Sequence, residues 1–231
     1  MTRYIAPCIA ITFLVFTALP QTAFSAGETN NCHCFRNRTF NPADKFVSDE
    51  YLLTTTFNSL LASEFNISKR QIIMMKMGEG VANNDLVTAL YLSRSTGLEV
   101  AQLLAMKKKQ SWQEIITPLQ DKTEAPETKK LFDFILSGSS DQQIAEQIIT
   151  GIIAARFSPS PESLQFFSQH DMNAREIILA GALANHTGAT VPAIVDQYRQ
   201  KGLSWSEIAH NFGLEPSEVG KLLENGKPKA K

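Results

Sequence analysis

One order of features occurs twice in this chain, and it limits the fold more than any other pattern. A Thr-Gly turn is followed by an apolar helix and then by Ser-Trp-x-Glu-Ile. Thr96-Gly97 leads to Ser111-Trp112-Gln113-Glu114-Ile115, and Thr187-Gly188 leads to Ser204-Trp205-Ser206-Glu207-Ile208. The turns lie 91 residues apart and the tryptophans 93, so the second copy carries two extra residues, absorbed around Lys201-Gly202-Leu203. In both copies the spacing of serine and glutamate is that of a capping box. The hydroxyl accepts from the amide three residues on, and the carboxylate reaches back to the serine amide. The same order of turn, helix and capped helix in two places predicts an internal repeat.

The segments around these units read as helical. Leu53, Phe57, Leu60 and Leu61 recur at the three-and-four spacing of one helix face. Ser68 predicts an N-cap for a helix ending near Met77 before Gly78 and Gly80. Within the units, Asp85–Ser95, Leu98–Lys109, Glu176–His186 and Val191–Gln200 read as helices, and the short helix after Trp112 should stop at Pro118. Between the units, Asp121–Thr128 is charged, contains Pro126 and reads as a linker; Leu131–Leu136 and Asp141–Phe157 read as helices. Pro161 suits the first turn of one more. No segment alternates apolar and polar residues as a half-buried strand would. The expected class is all-α: a helical bundle of two related three-helix units with a central helical segment, preceded by a signal peptide. The divisions are 1–25 (signal peptide), 26–49 (a Cys-His-Cys arm), 50–120 (first unit), 121–170 (linker and central helices), 171–226 (second unit) and 227–231 (basic tail).

The N-terminal division sets the compartment. Arg3 precedes an apolar run from Ile5 to Leu19, Pro20-Gln21 breaks it, and Ala23-Phe24-Ser25 offers small residues for cleavage after Ser25 or Ala26. The run is shorter than the ~20 residues of a spanning helix, so no membrane span is expected after cleavage. The expected location is outside the cytoplasm, in the periplasm or extracellular space of a bacterium. Losing the leader removes one of 22 basic side chains and none of the 23 acidic ones. A chain so nearly neutral does not suit nucleic acid as a partner.

Two local features carry candidate chemistry. The first is Cys32-His33-Cys34, whose cysteines are the only two left once Cys8 departs with the leader. An oxidising compartment seldom keeps free thiols. Three readings stay open: a strained local disulfide between Cys32 and Cys34, a soft transition-metal site using Cys32, His33 and Cys34, and intermolecular or redox exchange. Met74, Met75 and Met77 would suit the same soft metal, but they do not share one helix face and read as core filler. No cofactor is predicted beyond that metal.

The second feature is Ser204–Leu223. Ile208, Ala209, Phe212, Gly213, Leu214, Val219 and Leu222 stand where a helix-turn-helix packs, with Gly213 at the turn, and this stretch resembles that family over about 20 of 231 residues. The remainder resembles only an exported bacterial protein. The resemblance implies a second helix, Pro216–Asn225, that would enter a DNA major groove. That helix and its cap offer Glu215, Glu218 and Glu224 against Lys221, and three acids repel the phosphates that supply most such affinity. The hairpin therefore reads as a packing unit.

His170, His186 and His210 stand in separate helical contexts and form no metal-ligand pattern; neither a nucleophile elbow nor a glycine-rich phosphate loop is present. The sequence thus points to an exported protein- or peptide-binding module without catalytic activity. The alternative is a metal-binding or thiol-redox protein working through Cys32-His33-Cys34. A DNA-binding regulator follows only if the leader does not function.

Overall fold

The computed structural model of the chain describes residues 35–122 and 125–224. The leader, Cys32-His33-Cys34 and the basic tail lie outside the described residues. Among those described, the fold is all-α, without a strand.

The helix that every layer touches is α1 (Asp49–Phe65). α2 (Lys69–Met77), α3 (Asn83–Thr96), α9 (Ala174–Thr187), α11 (Trp205–Asn211), α12 (Pro216–Val219) and α13 (Lys221–Glu224) all pack directly on it. The expectation of a single apolar face fails here. Nine consecutive residues, Thr54 to Ala62, are buried around the whole circumference, and Leu52 rather than Leu53 is the fully buried leucine at its start. A helix enclosed on every side needs no amphipathic pattern. It does need partners for its polar side chains.

α1 joins two apolar clusters. Phe57, Leu60 and Leu61 belong to the first, with α3, α4 (Val100–Lys107), α5 (Trp112–Ile116), α6 (Pro126–Leu136) and α7 (Asp141–Phe157). Leu52 belongs to the second, with α9, α10 (Val191–Arg199), α11 and Val219. α9 also divides itself between them: Ile178 and Ala182 face the first cluster, Leu179 and Leu183 the second. α8 (Pro161–Gln169) packs beside α10.

Most helix starts follow the sequence signals. Ser68, Ser111 and Ser140 each complete a capping box, and Pro161 occupies the first turn of α8. Asp121–Thr128 is not wholly a linker, because Pro126 opens α6. A proline lacks only an N–H that would be unpaired at that position anyway. After α5 the chain tightens into a 3-10 turn, Thr117–Lys122, through Pro118. Asn173 with Glu176 and Glu99 with Gln102 form two further capping boxes, which move the starts of α9 and α4 from the expected positions.

The arm ahead of α1 is fastened to the second cluster. Phe40 stacks on His210 at 4.6 Å, Lys45 Nζ donates to the Gly202 carbonyl at 2.8 Å, and Ser206 Oγ donates to the Lys45 carbonyl at 2.7 Å. The Asp49 carboxylate closes this contact. Its two oxygens accept from the Trp205 and Ser206 amides at 3.0 and 2.9 Å, capping α11 from 156 residues away in sequence. Burial raises the Asp49 pKa, although these amides oppose the shift. Replacing Asp49 with alanine should cost ~1–2 kcal/mol, as removal of a helix cap does. Asparagine, which keeps one acceptor oxygen, should cost less. Urea unfolding followed by Trp205 emission measures both, and unchanged midpoints would refute the role of this contact.

Candidate functional site

The helix-turn-helix-like hairpin can be placed first. Gly213 turns with φ 75° after α11, as expected. The anticipated single helix Pro216–Asn225 is divided at Gly220 into α12 and α13. That segment lies on α1, with Pro216, Val219 and Leu223 buried. A Cβ on Gly220 would stand 2.6 Å from Ser59 Oγ. Arg156 reaches the Leu223 carbonyl and fixes the end of the segment to α7. Ser217, Lys221 and Glu224 face outward.

The polar side chains of α1 form a second region, which the sequence reading missed. Lys76, on α2, is 2% exposed and donates to Asn58 Oδ1 at 3.1 Å. Arg175, on α9, pairs with Glu50 and also donates to Thr54 Oγ1. One row further round α1, Lys69 donates to Thr55 Oγ1, and Ser59 Oγ donates to Glu224 Oε1 at 3.4 Å. Burial and then the repulsion of Arg175 lower the Lys76 pKa from 10.5 to about 8, with Glu50 opposing. Burial lowers Lys69 as well, against Glu224. This row ties α1 to α2, α9 and α13. The spacing Glu50-Thr54-Asn58 was a visible signal, because every fourth residue returns to the same helix face.

Between about pH 8 and 10.5 the unfolded chain keeps the Lys76 proton that the folded chain has released. Stability contributed by this group should therefore rise with pH through that window, and the penalty of a buried ammonium should be fully present below it. Lys69 acts in the same direction. Lys76→Met should flatten much of the rise, measured as unfolding free energy against pH. An unchanged slope in the variant would exclude Lys76 as its source.

The methionines separate. Only Met75 packs partly into the core; Met74 and Met77 are 56% and 43% exposed, which corrects the core-filler expectation. Both project from the outer side of α2, opposite buried Ile72 and Lys76. The histidines are not brought together. His170 stacks on Phe166, His210 on Phe40, and His186 is exposed. No group of His, Cys, Asp and Glu with metal-holding geometry occurs among the described residues.

The feature best shaped for a ligand is a groove of about 770 Å3 between α3, α6 and α7. Its volume falls within the range of ligand clefts. α7 supplies the floor through Ile148, Gly151, Ile152 and Ala155; Tyr91 of α3 forms one wall, and Leu131 and Phe134 of α6 the other. From Gln147 to Ala155 the floor is ~12 Å long, a little over two helical turns. Arg94 stands at the edge, paired with Glu64 and within 5.3 Å of the ring centres of both Phe65 and Tyr91. Glu127 and Lys130 also line the groove. Both are exposed on α6 and make no ion pair among the described residues.

Gly151 is the unusual residue in that floor. Glycine inside a helix costs ~1 kcal/mol relative to alanine. The buried glycine of α9 has a packing reason, because a Cβ on Gly181 would meet the Phe157 ring at 2.9 Å. Gly151 has none: beyond its chain neighbours and the backbone of its own helix, nothing among the described residues lies within 4 Å of where its Cβ would be. Its missing side chain widens the groove and contributes nothing to the packing of the chain itself.

Comparison of the chain with protein-family models, curated proteins and solved structures finds no match.

Proposed function

We propose that this protein is an exported interaction module that holds a protein or peptide partner in the α3–α6–α7 groove and does not catalyse a reaction. The observation that carries this reading is an open apolar groove with a helical glycine in its floor that internal packing does not require. The charged residues of its lining, Glu64, Arg94, Glu127 and Lys130, would select and orient a partner. Export rests on the leader, Arg3 followed by the apolar run to Leu19.

We also infer that the scaffold is an internal duplication, with α3–α5 and α9–α11 as its two copies. Local geometry supports it. Gly97 and Gly188 end their first helices with φ 76° and 72°. The Thr96 and Thr187 hydroxyls each donate to the carbonyl four residues back and accept from the amide two residues on. Trp112 and Trp205 are 0% and 1% exposed. In each copy an acid from the first helix meets a base near the end of the second. Asp85 and Lys107 do so at 3.8 Å, Glu176 and Arg199 at 3.2 Å. The copies also differ. Trp112 Nε1 donates to Asp85, whereas Trp205 stacks on Tyr198 at 4.6 Å. Ser111 and Glu114 close a full capping box, but Glu207 leaves Ser204 half-capped and turns to Lys45.

A photo-crosslinking amino acid in place of Gln147, exposed at the end of the groove floor, tests the groove in the full chain expressed in cells that export it. Crosslinking to one discrete partner is expected there and not from position 142, which is exposed at the start of α7 outside the groove. Equal adducts from both positions, or none from 147, would overturn the reading.

A further inference from the structure

We infer that the groove's occupant is an amphipathic α-helix that crosses α7 over Gly151, with a basic residue facing Glu127 and an acidic residue one turn away facing Lys130. This inference rests on the interaction-module reading and specifies its partner.

Three observations select a helix. The first is Gly151, because bare backbone in the middle of a helix lets another backbone come close. The distance between packed helices is set by the side chains at the crossing. The second is the extent of the floor, where α7 lines the groove over a little over two turns between α3 and α6. That is the span over which a bound helix places anchors at i, i+3 or i+4, and i+7. Tyr91, Leu131 and Phe134 provide apolar contacts for such anchors.

The third observation is charge. Arg94 is already paired with Glu64 and held beside two rings. On the other wall Glu127 and Lys130 are three residues apart and unpaired among the described residues. A helix lying along α6 meets both if its flank carries the opposite pair at the same interval. The order of the pair then fixes the direction in which it lies.

The probe is a synthetic amphipathic peptide of about fourteen residues, long enough for the floor and for partial helicity in solution. It has alanine at the crossing, leucines three and four residues to either side, and Lys and Glu one turn apart on one flank. A twin peptide has Lys and Glu exchanged. Fluorescence anisotropy should show the first peptide binding the full chain more tightly than its twin. The double variant Glu127→Lys, Lys130→Glu should reverse that order. Gly151→Ala should leave the protein folded and at least as stable, yet weaken peptide binding by about tenfold. Gly151→Leu should abolish binding, with its helicity checked by circular dichroism.

Peptide binding that ignores Gly151→Ala, or no order between the twins, would overturn the inference. Anilinonaphthalene sulfonate, a small apolar dye, separates the two levels. Dye binding that Gly151→Leu removes, with no binding of either peptide, would sink the helix and leave the groove standing. Absence of both would remove the groove as well.

Discussion

The structure depends on keeping α1 buried while giving most of its polar side chains partners, the Thr56 and Ser63 hydroxyls being left without one among the described residues. Burial on all sides makes α1 the element through which the two apolar clusters meet. Thr54, Thr55, Asn58 and Ser59 would each cost free energy if left unpaired in that position. Lys69, Lys76, Arg175 and Glu224 reach them from three other helices. These contacts add direction to an interface that apolar packing alone would leave loosely specified. They also bring a lysine to 2% exposure, far from the usual place of that residue.

The same logic extends to the second cluster. Asp49 begins α1 and caps α11, so one carboxylate ties the start of the central helix to the hairpin that resembles a helix-turn-helix. The second half of that hairpin lies against α1, where Gly220 permits contact with Ser59. In this fold the hairpin is a corner of the core. Its second half shows Ser217 and Lys221 to solvent, and the turn shows His210, Asn211 and Gly213.

On the proposed duplication, α3–α5 and α9–α11 have acquired different surroundings. Their turns and buried indoles agree closely. The sites around the indoles have diverged, with Lys107 also bonded to Asp141 in one and Tyr198 stacked on Trp205 in the other. α6 and α7 follow the first unit, and their packing beside α3 creates the groove. The second unit is instead followed by α12 and α13, which close over α1. A cleft on one side and a filled corner on the other are what distinguish the two ends of the molecule.

The sequence by itself determined the all-α class, the range of α7, the caps at Ser68 and Ser111, and the proline start of α8. Those features are governed by contacts within four residues, and such contacts are written in local order. Tertiary structure decided the rest. It enclosed α1 on every side, placed Lys76 beneath Asn58, sent Asp49 to α11 and left Met74 and Met77 in solvent. It also showed that Gly151 has no internal neighbour, although the letters of the chain give that glycine no special mark. Each of these depends on which helix lies opposite, over separations as large as 165 residues, and periodicity along one helix carries no information about its partner.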